Sequence, residues 1–377
     1  MLKALTYHGF HDVRLDEVPQ PDLMAPTDAI IKITSTAICG SDLHLVHNLI
    51  PNLRSGTVLG HEPMGIVEAV GPAVKDIKRG DRVVASFPIA CGHCYYCGQQ
   101  LYSMCDEANP DGENGGVYGH GKNFGGYDGG QAEYLRVPYA DVGLLPVPDE
   151  LTDQQVLFLS DILPTGWFGC EAGGVQRGDD AVVMGCGPVG LMAMQCAWLH
   201  GAKRVFAVDH LDYRLEAAAR ICGAEPINVL ETHVAEAVKE RTDGKGADVV
   251  IDCVGMEATM STWDKIETAL KLDSGSIAAL SQAIQAVRRG GSIGVVGVYG
   301  GRNNLFPWGE IFAKGLRIQA GQTPVQKYWK PLLEHVRQGR LKPQEIITHE
   351  LSLTDGPKGY ELFDQKQDGC IKVVLRP

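Results

Sequence analysis

Ala181-Val182-Val183-Met184-Gly185-Cys186-Gly187-Pro188-Val189-Gly190 runs a short apolar segment straight into a glycine-rich turn. An apolar helical pattern follows over 191–200, and a second apolar run over 204–209 ends in Asp209. A strand, a G-x-G-x-x-G turn, a helix and an acidic residue about 20 positions further on make the dinucleotide-binding fingerprint. Gly185, Gly187 and Gly190, with Pro188 and Val189 between them, permit a tight turn and close approach of backbone to a pyrophosphate at the helix amino terminus. Asp209 is placed to accept hydrogen bonds from the adenosine ribose, and its charge opposes a 2′-phosphate, which favours NAD over NADP. Arg214 either covers the adenine or is a solvated helix residue.

The pattern extends outward on the carboxyl-terminal side. A helix over 213–222, strands near 227–230, 248–252, 292–297 and 316–320, and a helix over 328–338 follow. Apolar strands alternating with helices imply a parallel sheet covered on both faces. The first 150 residues differ: short apolar runs such as 29–33, 65–70 and 81–84 lie between Gly and Pro turn signals, without a long amphipathic helix. That pattern implies a folded-up β-barrel-like domain. Residues 106–130 form a long Gly/Asn/Asp-rich loop, which in a compact domain is usually functional or a lobe surface. A chain of 377 residues exceeds what one core supports, so two domains are expected. A net charge of -12 and the lack of a dense Lys/Arg run exclude nucleic-acid and anionic-membrane partners. With neither an export signal nor 18 consecutive apolar residues, the protein is expected to be cytoplasmic and its 11 cysteines to be thiols or metal ligands.

Cys91-Gly92-His93-Cys94-Tyr95-Tyr96-Cys97, with Cys105 following, puts four thiols in 15 residues. Zinc favours such a cage. Four thiolates leave no position for substrate, so this metal is structural, and His93 is not needed as a ligand. Cys39-Gly40-Ser41-Asp42-Leu43-His44 and Gly60-His61-Glu62 are two further clusters of ligand-type residues. Spacing alone leaves their pairing at one metal undecided. Packing accounts for Cys170, Cys186, Cys196, Cys222, Cys253 and Cys370.

These clusters, in this order, resemble the zinc-dependent medium-chain alcohol dehydrogenase family over essentially the whole chain. Segments 129–134, 137–141, 159–166 and 321–325 are most similar to its glutathione-independent formaldehyde dehydrogenase-like branch. The resemblance implies an α/β protein: a GroES-like β-barrel catalytic domain over 1–160 and 322–377, with a zinc lobe at about 90–106, and a Rossmann doubly wound NAD-binding domain over 161–321. It implies two zincs per chain. Cys39, His61 and Asp161 would hold the catalytic one, with Glu62 behind them; Cys91, Cys94, Cys97 and Cys105 would hold the structural one. Three ligands leave a fourth position for an alcohol oxygen, and one thiolate plus one carboxylate balances Zn²⁺ where four thiolates overbalance it.

The same resemblance implies that Ser41 passes the substrate proton by way of the nicotinamide ribose to His44. Imidazole suits that role, an exposed loop histidine being the alternative. It also implies that Thr165 contacts the nicotinamide end and that Lys372 lies near the pyrophosphate, with surface solvation as the competing reading for Lys372. The expected reaction is hydride transfer to NAD from a small primary alcohol or an aldehyde hydrate such as that of formaldehyde. Alternatives are a polyol or L-threonine dehydrogenase and, from another class, a non-catalytic nicotinamide-binding regulator. A homotetramer is the expected assembly, and segment 259–282 lengthens the nucleotide domain relative to simpler relatives.

Overall fold

A computed structural model describes residues 1–50, 53–112, 114–257, 276–300 and 306–377. The chain divides into two compact units, Met1–Pro164 with Thr323–Pro377, and Thr165–Gln322. The first boundary falls later than the expected 160/161, so Asp161 belongs to the unit that carries Cys39 and His61. The reason is local: a 3-10 turn over Leu157–Ser160 closes on the first unit, and the helix Ile162–Gly173 begins only after Asp161.

The first unit is built on Ala29–Ile38, a strand buried at most of its positions. It pairs antiparallel with Glu62–Val70 and Tyr134–Val137. Its far end pairs with Val373–Arg376 from the chain's last residues, in register Val373 to Ile38. The sheet continues through Arg82–Ala85 and Leu144–Pro146 on one side and through His349–Ser352 on the other. Register shifts between Ile30 and Ile31 and between Ile33 and Ser35 bend the central strand, as bulges do where a sheet must curl. A smaller sheet orders Asp12–Val18, Leu2–Gly9 and Thr57–Val58. The central strand ends at Ile38, and the chain turns at Cys39 directly into the seven-residue helix Gly40–Val46. Opposite it, Glu62 opens its own strand, so Ala37 faces Glu62 in the ladder. Thus sheet register alone brings the Cys39 and His61 segments side by side.

The second unit is a six-stranded sheet with every pair parallel, in the order Glu225–Asn228, Arg204–Asp209, Asp180–Met184, Ala247–Asp252, Val287–Val295, Arg317–Ala320. This is the doubly wound Rossmann order, with the strand order reversing beside Asp180–Met184. Its central strands are mostly apolar and buried at all but one position each, as a sheet covered on both faces requires. The expected strands and helices are present, with ends displaced by a few residues: helices span Pro188–Leu199 and Asp212–Cys222 here, and Val325–Arg337 in the first unit. Residues 259–275 of the expected lengthening segment lie outside the described residues; its remainder leads into the helix Ala278–Ala286. No helix among the described residues is long and apolar enough to cross a membrane.

Candidate metal centres and nucleotide turn

The residues that could hold a catalytic metal converge within the first unit. Cys39 Sγ lies 3.5 Å and His61 Nε2 lies 3.2 Å from Asp161 Oδ2. With a Glu62 oxygen, all four ligand atoms fall within 4.8 Å of one another, and all four residues are buried. Asp42 orients the set. One of its oxygens is 3.0 Å from His61 Nδ1, and the other accepts from Cys39 N–H at 3.0 Å and from the Gln131 amide at 3.2 Å. A carboxylate on Nδ1 fixes the tautomer that points the Nε2 lone pair into the cluster. The Gln131 carbonyl accepts in turn from Tyr360 Oη at 2.7 Å. Asp42, Gln131 and Tyr360 were not singled out as site residues from sequence. Asp42 alone left a local signal, an acid three residues after a turn residue that opens a helix, where it reaches back to the Cys39 backbone.

Glu62 and Lys372 form an ion pair at 2.7 Å, both side chains fully buried, and the ammonium also donates to Ile38 O at 2.9 Å. Lys372 is therefore not a solvated surface residue. Two of its three donors are spent inside the first unit, and its position is set by the pairing of Val373 with Ile38. Burial pulls its pKa down, but the Glu62 carboxylate and Cys39 more than restore it, so the ammonium stays charged. Burial pushes the Glu62 carboxyl up against the pull of Lys372. Burial, together with the charges of Glu62 and Asp161, raises the Cys39 thiol to about 11. Burial would lower His61, but Asp42 and Asp161 hold its pKa well above the ordinary value.

This donor set fits a divalent cation. A carboxylate-rich, thiol-containing pocket retains protons until a metal replaces them, and Glu62 Oε2 is buried without a hydrogen-bond partner among the described residues. Ser41 Oγ sits 3.2 Å from His61 Nε2, inside the cluster. His44, one turn further along the same helix, is buried rather than an exposed loop residue. His120, from the 106–130 loop, packs its ring 5.1 Å from that of His61, and burial with that neighbour lowers its pKa to about 4. Nothing in the local sequence distinguished His120 from the loop around it.

The second cluster joins Cys91, Cys94, Cys97 and Cys105. The Cys91–Cys97 and Cys94–Cys105 sulfurs are each 3.9 Å apart, close to the edge of about 3.8 Å expected for a tetrahedron with Zn–S of ~2.3 Å. Backbone N–H groups of His93 and Cys94 donate to Cys91 Sγ, and that of Cys91 donates to Cys105 Sγ. Such bonds suit thiolate acceptors. The His93 ring instead lies 3.1 Å from Cys91 O and is not one of the clustered groups.

In the second unit, Gly185 takes a φ of 87°, the left-handed turn that glycine favours. A Cβ at Gly190 would lie 1.8 Å from Gly185 O, so strand and helix need glycine there to pack. A Cβ at Gly187, with ordinary φ of -73°, would meet only Arg214 Nη1 at 3.7 Å. The three glycines thus divide into turn, open face and packing contact, which fits a pyrophosphate cradle at the amino end of Pro188–Leu199. The Arg214 guanidinium stands beside that open face. Asp209 accepts from Cys186 N–H at 2.8 Å through Oδ2, and from His210 and Leu211 N–H at 2.7 and 3.0 Å through Oδ1. The three backbone bonds take most of the about four acceptor positions of a carboxylate, and the His210 ring nitrogen lies 3.4 Å from Oδ1. Thr165 is buried at the start of this unit.

Two clusters of metal-ligating side chains on a bulged, mostly antiparallel unit, joined in one chain to a Rossmann sheet, define a zinc-binding dehydrogenase. Family models agree in both parts: an alcohol dehydrogenase GroES-like domain matches residues 25–149, and a zinc-binding dehydrogenase domain matches residues 188–266. The chain is 48% identical over 380 residues to the zinc-type alcohol dehydrogenase-like protein AdhB of Bacillus subtilis (strain 168), covering all of both chains. It is 34% identical to a glutathione-independent formaldehyde dehydrogenase of the same organism, covering 100% of this chain and 97% of the relative. The solved alcohol dehydrogenase TADH from Thermus sp. ATN1 superposes with a TM-score of 0.87 at 39% identity, covering 99% of each chain. The chain belongs to the zinc-dependent medium-chain alcohol dehydrogenase family.

Two expected outcomes test the geometry. Lys372→Met leaves Glu62 buried and unpaired, so unfolding in urea at equal metal content should show a loss of about 3–5 kcal/mol, largely recovered in the Glu62→Gln/Lys372→Met double variant. An unchanged midpoint in the single variant would show that the pair is not buried as described. Gly187→Ala should leave the unfolding midpoint nearly unchanged yet weaken NADH binding in a fluorescence titration. Gly190→Ala should also lose about 3 kcal/mol of stability from overpacking.

Proposed function

We propose that the protein is an NAD-dependent dehydrogenase of small primary alcohols and hydrated aldehydes, formaldehyde hydrate among them. It would carry one catalytic zinc on Cys39, His61 and Asp161 and one structural zinc on the four-cysteine lobe. The observation that carries this reading is the convergence of the Cys39 thiol and the His61 imidazole on one Asp161 carboxylate oxygen, at 3.5 and 3.2 Å. Three protein ligands leave a coordination position for substrate, whereas the four-sulfur cluster is closed. When bound, zinc supplies the Lewis acidity that lowers the pKa of an alcohol, and NAD supplies the hydride acceptor.

The chain's own residues do the rest. Asp42 holds His61 in its ligand tautomer. Ser41 presents a hydroxyl to the same cluster and would receive the substrate proton, and His44, on the same helical face one turn later, would receive it next. Glu62 and Lys372 carry balancing charge behind the ligands, and the buried lining keeps bulk water from the donors. A hydrated aldehyde is a geminal diol, so the machinery that deprotonates an alcohol serves it without added groups. Asp209 would accept from a ribose hydroxyl and would repel a 2′-phosphate, which supports NAD. The similarity to a glutathione-independent formaldehyde dehydrogenase supports the aldehyde hydrate as substrate class.

Metal analysis should find two zincs per chain, one of them lost together with activity in Cys39→Ala and in Asp161→Ala. Initial rates with NAD⁺ should be highest for formaldehyde and short primary alcohols; turnover of polyols or threonine alone would overturn the substrate assignment. Asp209→Asn should raise the NADP-to-NAD ratio of kcat/KM by about tenfold or more, the worth of one charge-assisted hydrogen bond. Unchanged discrimination would remove Asp209 from the ribose site.

A further inference from the structure

A third group of metal-ligating side chains lies away from both clusters described above: His11, His47 and Asp364, with one ligand atom from each within 4.8 Å of the others. They come from three elements of the first unit. His11 is in the tight turn between the strands Leu2–Gly9 and Asp12–Val18. His47 caps the carboxyl end of the helix Gly40–Val46, and Asp364 is the last residue of the helix Gly356–Asp364. His11 Nδ1 is 3.2 Å from Asp364 Oδ2, and His47 Nε2 is 2.9 Å from Asp364 Oδ1. The two rings sit 5.0 Å apart, tilted by 54°. They are therefore not stacked, and both turn a nitrogen toward the carboxylate.

The turn is built to hold this arrangement. His11 has a φ of 53°, a left-handed conformation that costs a non-glycine residue energy and is retained where the surroundings demand it. Its N–H donates to Val46 O at 3.0 Å, locking the turn onto the helix end beside His47, while the Phe10 ring packs edge-on against the imidazole at 4.2 Å. The two nitrogen–oxygen separations, 3.2 and 2.9 Å to different oxygens of Asp364, are near the edge of about 3.3 Å expected for a tetrahedron with metal–nitrogen bonds of ~2.0–2.1 Å, and all three ligand atoms fall within 4.8 Å of one another. Two imidazoles and one carboxylate are the donor types of a borderline divalent ion and not of Ca²⁺ or Mg²⁺, which take all-oxygen shells. His11 is half exposed while the other two are mostly covered, so an ion reaches the site from solvent and keeps water as a further ligand.

We propose that His11, His47 and Asp364 form a third, exchangeable Zn²⁺ site that ties the Leu2–Gly9/Asp12–Val18 turn to the end of the helix carrying Ser41 and His44. It takes no part in the chemistry. The ion acts as a clamp at the far end of the short helix that starts from Cys39, and the competing reading is two hydrogen bonds from the imidazoles to the carboxylate with no affinity for metal.

Equilibrium dialysis of the intact protein against micromolar Zn²⁺, followed by zinc counting per chain, separates the two. Wild type should hold one equivalent more than His11→Asn, a substitution that keeps a residue tolerant of left-handed backbone and leaves turnover intact. Asp364→Asn should lose the same equivalent, giving an independent variant should one of them fold poorly. Equal zinc counts in wild type and both variants would overturn the proposal. Because the readout is a difference between variants, it is independent of how many zincs reside in the other two clusters and of which alcohol is oxidised.

Discussion

The first unit's chemistry depends on one buried carboxylate. Asp42 is fully enclosed, and its two oxygens hold three segments at once: the Cys39 backbone, the His61 ring and the Gln131 amide. An ionised group in such a place is expensive unless every lone pair is used. Burial works against the charge, and the neighbouring His61 overcomes it, so that Asp42 stays below its ordinary carboxylate range. The cost is met by the same contacts that set the site's geometry. Cys39 faces inward because its N–H is held by Asp42, and His61 aims Nε2 at Asp161 because Nδ1 is occupied.

Behind this lies a charge balance that spans the chain. Glu62 and Asp161 concentrate negative charge beside Cys39 in a space with little water, and with burial each raises the pKa of its thiol. Lys372 opposes them from 310 residues beyond Glu62. It arrives there because the last strand joins the sheet beside Ile38, so the chain's carboxyl-terminal segment completes the electrostatics of a pocket whose ligands lie in its first half. A divalent cation would take over what protons and Lys372 do in its absence, which is why the pocket is both anionic and buried.

What could be read from sequence followed from how locally each feature is encoded. The nucleotide turn was legible because strand, glycines, helix and Asp209 are consecutive, and each glycine answers to a different steric need within those residues. The four-cysteine lobe was legible for the same reason. Cys39, His61 and Asp161 became a set only through the family resemblance, since nothing in their spacing says that Ala37 pairs with Glu62. Gln131, Tyr360, His120 and the His11–His47–Asp364 group stayed hidden because each is defined by contacts across the sheet or between elements distant in sequence. Lys372 was read as lying near the pyrophosphate, with surface solvation as the competing reading; its burial against Glu62 removes the second, and a lysine in an apolar strand pattern reads as exposed until its buried acid is known. The boundary near 160 was displaced for a related reason, as Asp161 lies between a 3-10 turn and a helix and belongs to the unit that precedes it.

The nucleotide turn shows the same economy as the metal pocket. Asp209 is not simply an acid waiting for a ribose. Three backbone N–H groups already bind it, one from Cys186 inside the fingerprint and two from the turn that follows its own strand. The carboxylate therefore ties the glycine turn to the end of the neighbouring strand before any ligand arrives. Preorganisation of this kind lowers the entropy lost on binding. It also explains why the open face at Gly187 and the packed contact at Gly190 can lie three residues apart: the turn is held rigid by the acid that reads the ligand, just as the zinc-ligand cluster is held by Asp42.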